Sequence, residues 1–167
     1  MKSTIMPVQR RGKSKQDYET PECFFKIVEK YFGVKFDIDL AANEHNTKCK
    51  IFFNEQQDSL KQNWNCYKNC WLNPPYNNIS HWVRKAFLSC STDIQIFILV
   101  PASVGSNWFR DYVYQKCDVI FLNGRITFVD EYDPYPKDLM LLRYGNTTYK
   151  GNFYIWDWKQ FVQSNEL

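Results

Sequence analysis

The chain has 167 residues, 44% of them hydrophobic, and a net charge of +3. That length supports one domain with a real core and is too short for two comfortable ones. No run of about 18 apolar residues is present, which excludes a membrane-spanning helix, and no apolar segment follows the basic N-terminus, so a secretory leader is not expected and a cytoplasmic location is.

The charge is unevenly placed. Residues 1–16 carry Lys2, Arg10, Arg11, Lys13 and Lys15 and no acid, a local +5 that leaves −2 for the rest. This stretch reads as a flexible basic arm ahead of a single domain spanning 17–167. Arg11 and Lys13 are candidate phosphate contacts within it, the alternative being a solvated leader. Aromatic residues reach 18%, and flat rings suit both a core and stacking on nucleic-acid bases. The six cysteines (Cys23, Cys49, Cys66, Cys70, Cys90 and Cys117) are expected as reduced thiols, because a chain of this size needs no staples. Cys66 and Cys70 lack a second pair, and His45 and His81 are isolated, so no metal site is expected.

In chain order, Glu22 to Phe32 has helical periodicity, with Thr20 expected as N-cap, Pro21 in the first helical position and Gly33 ending the helix. Phe36–Leu40 and Cys49–Phe53 read as short strands. Trp71-Leu72 is a strand leading into Asn73-Pro74-Pro75-Tyr76, and Asn77–Ser89 then shows an amphipathic helical face. Ile94–Val100 is almost continuously apolar, as in a strand buried on both faces. Ser106–Tyr114 reads as a helix and Asp118–Leu122 as a strand. Leu139–Tyr144 and Phe153–Trp158 are expected as an antiparallel pair near one edge. The alternation points to an α/β fold with a mostly parallel central sheet flanked by helices and an antiparallel edge. Ligands of such sheets bind beyond the carboxyl ends of the strands, which puts Asp39–Asn43, Asn73–Tyr76 and Pro101–Ser103 on one rim.

The tetrapeptide Asn73-Pro74-Pro75-Tyr76 carries a specific chemistry. An adenine amino group is a poor nucleophile because its lone pair is delocalised into the ring. An amide oxygen on Asn73 and the carbonyl of Pro74 can each accept one amino hydrogen, localising the lone pair toward an electrophilic methyl group. These acceptors act most strongly as charge develops in the transition state. The prolines fix φ and stiffen the turn, and Tyr76 can lie against the base.

The chain resembles the phage-type DNA N6-adenine methyltransferase (Dam-like) family from Asp17 to Tyr144. The resemblance rests on an ordered set: Glu19-Thr20-Pro21, Phe36 through Ala42, Asn46-Thr47-Lys48-Cys49, Asp58-Ser59-Leu60, Trp64, Trp71 through Tyr76, Trp82-Val83, Leu99 through Ala102, Trp108-Phe109 and Gly124 through Phe128. It implies a Rossmann-like fold, S-adenosyl-L-methionine as methyl donor and adenine in DNA as acceptor. By the same resemblance, Asn73, Pro74, Pro75 and Tyr76 hold the target base. Thr20 and Pro21 close over the methionine end of the cofactor. Asp39, with Ala41 beside it, and Asp58 contact the cofactor. Protection of a viral genome in a bacterial host fits such a protein. The chain departs from general methyltransferases in having no glycine in Asp39-Leu40-Ala41-Ala42-Asn43. Asp39 is open to three readings: a contact to the methionine amino group, a contact to the ribose hydroxyls, or an ordinary strand-end acid capping a following helix.

Arg125 is a candidate nucleic-acid contact, the alternative being an ion pair with Asp130 or Glu131. Trp82 and Trp108 read as core residues. A monomer is assumed. RNA or protein amino groups as acceptors, or a nucleic-acid-binding module without catalysis, are the alternatives to DNA methylation.

Overall fold

The computed structural model describes residues 18–145 and 151–164. The basic arm, with Arg11 and Lys13, lies outside the described residues.

Helix α1 spans Glu22–Phe32 and ends on Gly33, whose φ of 62° is the left-handed conformation that closes a helix without steric penalty. Its start differs by one residue from expectation. Pro21 takes the N-cap place with extended backbone and no side-chain cap, and its carbonyl accepts the first helical bond from Phe25 at 3.1 Å. The Thr20 hydroxyl is therefore not a helix cap and is free for another partner.

The sheet has seven strands among the described residues: β1 (Ile38–Asp39), β2 (Ile51–Phe52), β3 (Asn69–Leu72), β4 (Gln95–Pro101), β5 (Asp118–Asn123), β6 (Leu139–Tyr144) and β7 (Phe153–Asp157). Their order is β2-β1-β3-β4-β6-β5-β7. The pairs β1–β2, β1–β3, β3–β4 and β5–β7 are parallel, whereas β6 runs antiparallel to both β4 and β5. The expected antiparallel edge is thus corrected. The reversed strand lies inside the sheet, and β7 forms a parallel edge on β5. Burial explains the arrangement: Met140, Leu141 and Leu142 have no exposed surface, while Phe153 and Ile155 are 43% and 72% exposed and tolerate an edge.

Helices α2 (Ile79–Ser89), α3 (Asn107–Tyr112) and α4 (Trp158–Ser164) complete the elements. The strand expected to run to Trp158 stops at Asp157, whose carboxylate accepts from the Gln160 amide at 3.0 Å. The Trp158 indole turns back to donate to the Gly124 carbonyl at 2.8 Å. Side-chain alternation divides the core into two layers. Ile96, Ile98 and Val100 of β4 pack toward Val83, Ala86 and Phe109 of α2 and α3. Phe97 and Leu99 pack toward Phe24, Phe25 and Val28 of α1. The fold is therefore a mixed α/β sandwich with helices on both faces. All six cysteines are free thiols, and no helix among the described residues is long and apolar enough to cross a membrane.

Candidate active site

The parallel register aligns Asp39 with Trp71 and Leu72 with Ile98, so β1, β3 and β4 end on one rim. There the chain leaves β3 through Asn73-Pro74-Pro75 and enters a 3₁₀ turn at Tyr76–Asn78 before α2. Pro74 is buried and Pro75 half-buried, so the ring constraints act within packed surroundings.

Asn73 is held by its amide nitrogen. Nδ2 donates to the main-chain oxygen of Tyr18 at 2.5 Å and to the Thr20 hydroxyl at 3.0 Å. Both amide hydrogens are engaged, which leaves Oδ1 as the group able to receive a donor.

Asn73 opens onto a cavity of about 340 Å³ at the carboxyl ends of β1 and β3, within the range of about 300–1,000 Å³ usual for small-molecule sites. Of the residues singled out from sequence, the structure brings Thr20, Asp39, Ala41, Asp58, Asn73 and Pro75 to this cavity. Pro21, Pro74 and Tyr76 do not line it.

Asp39 is 3% exposed. Its two carboxylate oxygens accept from the amides of Ala41 at 3.3 Å and Lys48 at 3.1 Å. Burial nevertheless pushes its pKa up to about 7, outweighing those two bonds and the Lys48 charge. Asp58 sits in the left-handed region at φ 50°, starting a 3₁₀ turn at Ser59–Lys61, and pairs with Lys61 at 2.8 Å.

Sequence reasoning placed none of four further cavity residues at a ligand: Glu19, Lys48, Phe53 and Trp82. The Lys48 side chain is only 8% exposed, and its ammonium lies 3.1 Å from Glu19 Oε1 and 3.8 Å from Glu22 Oε2. A lysine nine positions after Asp39 gives no periodic signal; the β1–β2 connection brings it back. Trp82, expected in the core, packs against it while half-buried and stacks near Trp64, with ring centroids 6.4 Å apart and planes 17° apart. Trp108, likewise half-buried, packs against the same core between α2, α3 and the sheet.

Beside the cavity stands a cluster of four rings, Tyr18, Tyr76, Phe128 and Tyr135. Tyr76 lies 5.7 Å from both Tyr18 and Tyr135, and Tyr18 lies 4.9 Å from Phe128. The Tyr76 hydroxyl is buried with no hydrogen-bond partner among the described residues. Burial, then the neighbouring Tyr135 and Tyr18, hold its phenol well above the usual range, so it is neutral. The loop Asp133–Pro136 contributes to this cluster through Tyr135, whose amide donates to the Ile126 carbonyl at 2.8 Å. Tyr18 thus belongs to both the cavity and the ring cluster.

Arg125 is elsewhere on the same rim. It lines a second, open concavity with Ala102, Gly124 and Leu139. Its Nε lies 3.8 Å from Asp138, both side chains being largely exposed, so the ion pair anticipated with Asp130 or Glu131 goes to Asp138. His45 and His81 are not on the cavity, and no metal-binding group of three or more ligands exists among the described residues.

The chain matches the family model for DNA N-6-adenine-methyltransferase (Dam) over residues 9–138. It is 34% identical over 129 residues to a DNA N-6-adenine-methyltransferase of Haemophilus phage HP1 (strain HP1c1), covering 75% of this chain and 74% of that protein. It is 32% identical over 110 residues to a DNA N-6-adenine-methyltransferase of Escherichia phage T1, covering 66% of this chain but 46% of that longer protein. The ordered set of residues, the site that gathers on one rim and these matches agree: the chain belongs to the DNA N-6-adenine-methyltransferase (Dam) family.

Proposed function

We propose that this chain transfers a methyl group from S-adenosyl-L-methionine directly to the N6 amino group of adenine in DNA. The observation that carries the reading is the fixed orientation of the Asn73 amide, which stands between a cavity of cofactor size and a cluster of aromatic rings.

The donor set of the cavity suits this methyl donor. Asp39 and Lys48 offer one anion and one cation for an amino-acid group, Phe53 and Trp82 offer aromatic surface, and Asp58 and Ser59 offer acceptors for hydroxyl or amino hydrogens. When bound, S-adenosyl-L-methionine supplies a methyl group on a sulfonium, ready for displacement.

The protein's part is to orient and to exclude water. Asn73 Oδ1 accepts one hydrogen of the adenine amino group, and the Pro74 carbonyl accepts the other. The nitrogen lone pair then faces the cavity, and both acceptors strengthen as positive charge builds on that nitrogen. The prolines keep the two oxygens aimed. Tyr76 and its neighbouring rings provide an apolar surface for the base. An adenine must leave the duplex stack to reach Asn73, so base flipping or a single-stranded substrate is part of the reading. Arg125 contacts the nucleic acid on the open side of the rim, with Arg11 and Lys13 of the arm as further phosphate contacts.

The test is a labelled-methyl assay on DNA, RNA and protein, followed by nucleoside analysis. N6-methyladenine in DNA is the expected product. Label confined to RNA or protein would replace the acceptor, and no transfer to any of the three would overturn the reading.

A further inference from the structure

Lys48 has a chemical meaning that its packing alone does not supply. It is the sole lysine or arginine lining the cavity among the described residues, and its side chain is 8% exposed. Long cationic side chains are rarely buried to this extent unless paired. Glu19 accepts one hydrogen bond from Nζ at 3.1 Å, and Glu22, 60% exposed at 3.8 Å, is an ion-pair neighbour only. An ammonium has three donors, so donor capacity remains on the cavity side. Its main-chain amide, meanwhile, is bonded to the Asp39 carboxylate at 3.1 Å. One residue therefore ties the buried cation to the buried acid, and both face the same space.

We propose that Lys48 is the receptor for the α-carboxylate of the methyl donor, with Asp39 beside it receiving the α-ammonium. The assignment rests on the methyl-donor reading above and gives the cavity a direction. A zwitterionic amino-acid group needs a cation and an anion side by side, and Lys48 and Asp39 are the pair that the β1–β2 connection places together. The methionyl end then lies at Glu19, Thr20 and Asp39, next to Asn73, where the sulfonium has to be. The nucleoside end lies toward Phe53, Asp58 and Trp82. In this arrangement Asp39 does not serve the ribose hydroxyls. Glu19 acts as a positioning residue, holding the Lys48 ammonium extended along the cavity wall.

The experiment is calorimetric binding to the full chain with two probes, S-adenosyl-L-methionine and its decarboxylated form, in the unaltered protein, Lys48→Met and Lys48→Arg. The unaltered protein is expected to favour the carboxylated donor. Lys48→Met should lose roughly tenfold to a hundredfold in affinity for that donor, the usual range for a charge-assisted bond. It should bind the decarboxylated form as well as before or better, and Lys48→Arg should retain the preference. Equal losses for both probes, or an undiminished preference in Lys48→Met, would overturn the assignment. Should Lys48→Met fail to fold by circular dichroism, the preference within the unaltered protein and Lys48→Arg decides, and absence of that preference overturns it. Binding of neither probe by the unaltered protein would overturn the methyl-donor reading as well.

Discussion

The Asn73 amide nitrogen lies 2.5 Å from the main-chain oxygen of Tyr18, and this contact fixes which way the side chain points. A main-chain carbonyl cannot donate, so the NH₂ group must face it and the oxygen must face away. Replacing Asn73 with Ala is expected to lower the methyl-transfer rate by about 10²–10³-fold, the scale of losing one transition-state hydrogen-bonding group. The fold and donor binding should remain. Single-turnover labelling beside calorimetry separates the two effects, and normal turnover by a folded Asn73→Ala protein would remove Asn73 from the chemistry.

Tyr76 makes two opposed predictions. Its hydroxyl is buried without a partner among the described residues, and such a group costs about 1–3 kcal/mol in desolvation. Tyr76→Phe should therefore raise stability by about 1 kcal/mol in denaturant unfolding, with methylation kept. Tyr76→Ala should weaken engagement of the substrate by roughly 1–3 kcal/mol, the usual worth of a base-stacking ring. An unchanged apparent affinity for DNA in Tyr76→Ala would mean that the ring only packs.

The Asp39 carboxyl, lifted by burial to about 7 from 3.8, sets a pH dependence. Its folded pKa is raised, so the stability carried by the neutral acid is complete below its ordinary pKa. That stability is lost as pH climbs from about 4 toward 7. A donor ammonium favours the ionised form, so the opposite trend holds for binding. Affinity should rise with pH up to about 7, by at most about tenfold per unit, and level off above. The nearby Cys49 thiol, pushed up to about 12 by burial and by Asp39, stays neutral across this window. Calorimetry at pH 6 in two buffers of different ionisation enthalpy should reveal proton release on binding. No release, or an affinity flat from pH 5.5 to 8 — a span chosen to bracket a titration near 7 — would rule out the Asp39–ammonium contact.

Arg125 and Asp138 are both largely exposed at 3.8 Å, and such pairs contribute about 0–1 kcal/mol to stability. Arg125→Ala should leave thermal unfolding nearly unchanged. If Arg125 meets a phosphate, the slope of log affinity for DNA against log salt should fall by about one. An unaltered slope would return Arg125 to its surface ion pair.

Local signals were legible and spatial ones were not. Helix α1 is readable because Pro21, the apolar spacing from Phe24 to Phe32 and Gly33 all act within a few residues of one another. The Ile94–Val100 run announces a buried strand through its own composition. The position of β6 between β4 and β5 leaves no mark in Leu139–Tyr144, because a strand buried on both faces reads alike beside any neighbour. Thr20 reads as a helix cap because threonine before proline commonly starts a helix, yet its hydroxyl accepts from Asn73, 53 positions away. The tetrapeptide at Asn73 is recognisable because its chemistry is contiguous. The pairing of Glu19 with Lys48 is not, since the two meet only when the sheet brings two distant loops together.

The reversed strand has a consequence for how such a protein diversifies. Because β5 and β6 are antiparallel neighbours, the segment 124–138 leaves and re-enters the sheet on the rim that also carries Asn73. Ring contacts of Phe128 and Tyr135 bring it against Tyr18 and Tyr76. Asp39 and Lys48 hang from β1, on the other flank of β3. Under the proposed reading, recognition and donor capture lie toward opposite ends of one ridge and meet at Tyr18, so a lineage could rewrite much of the first while inheriting the second.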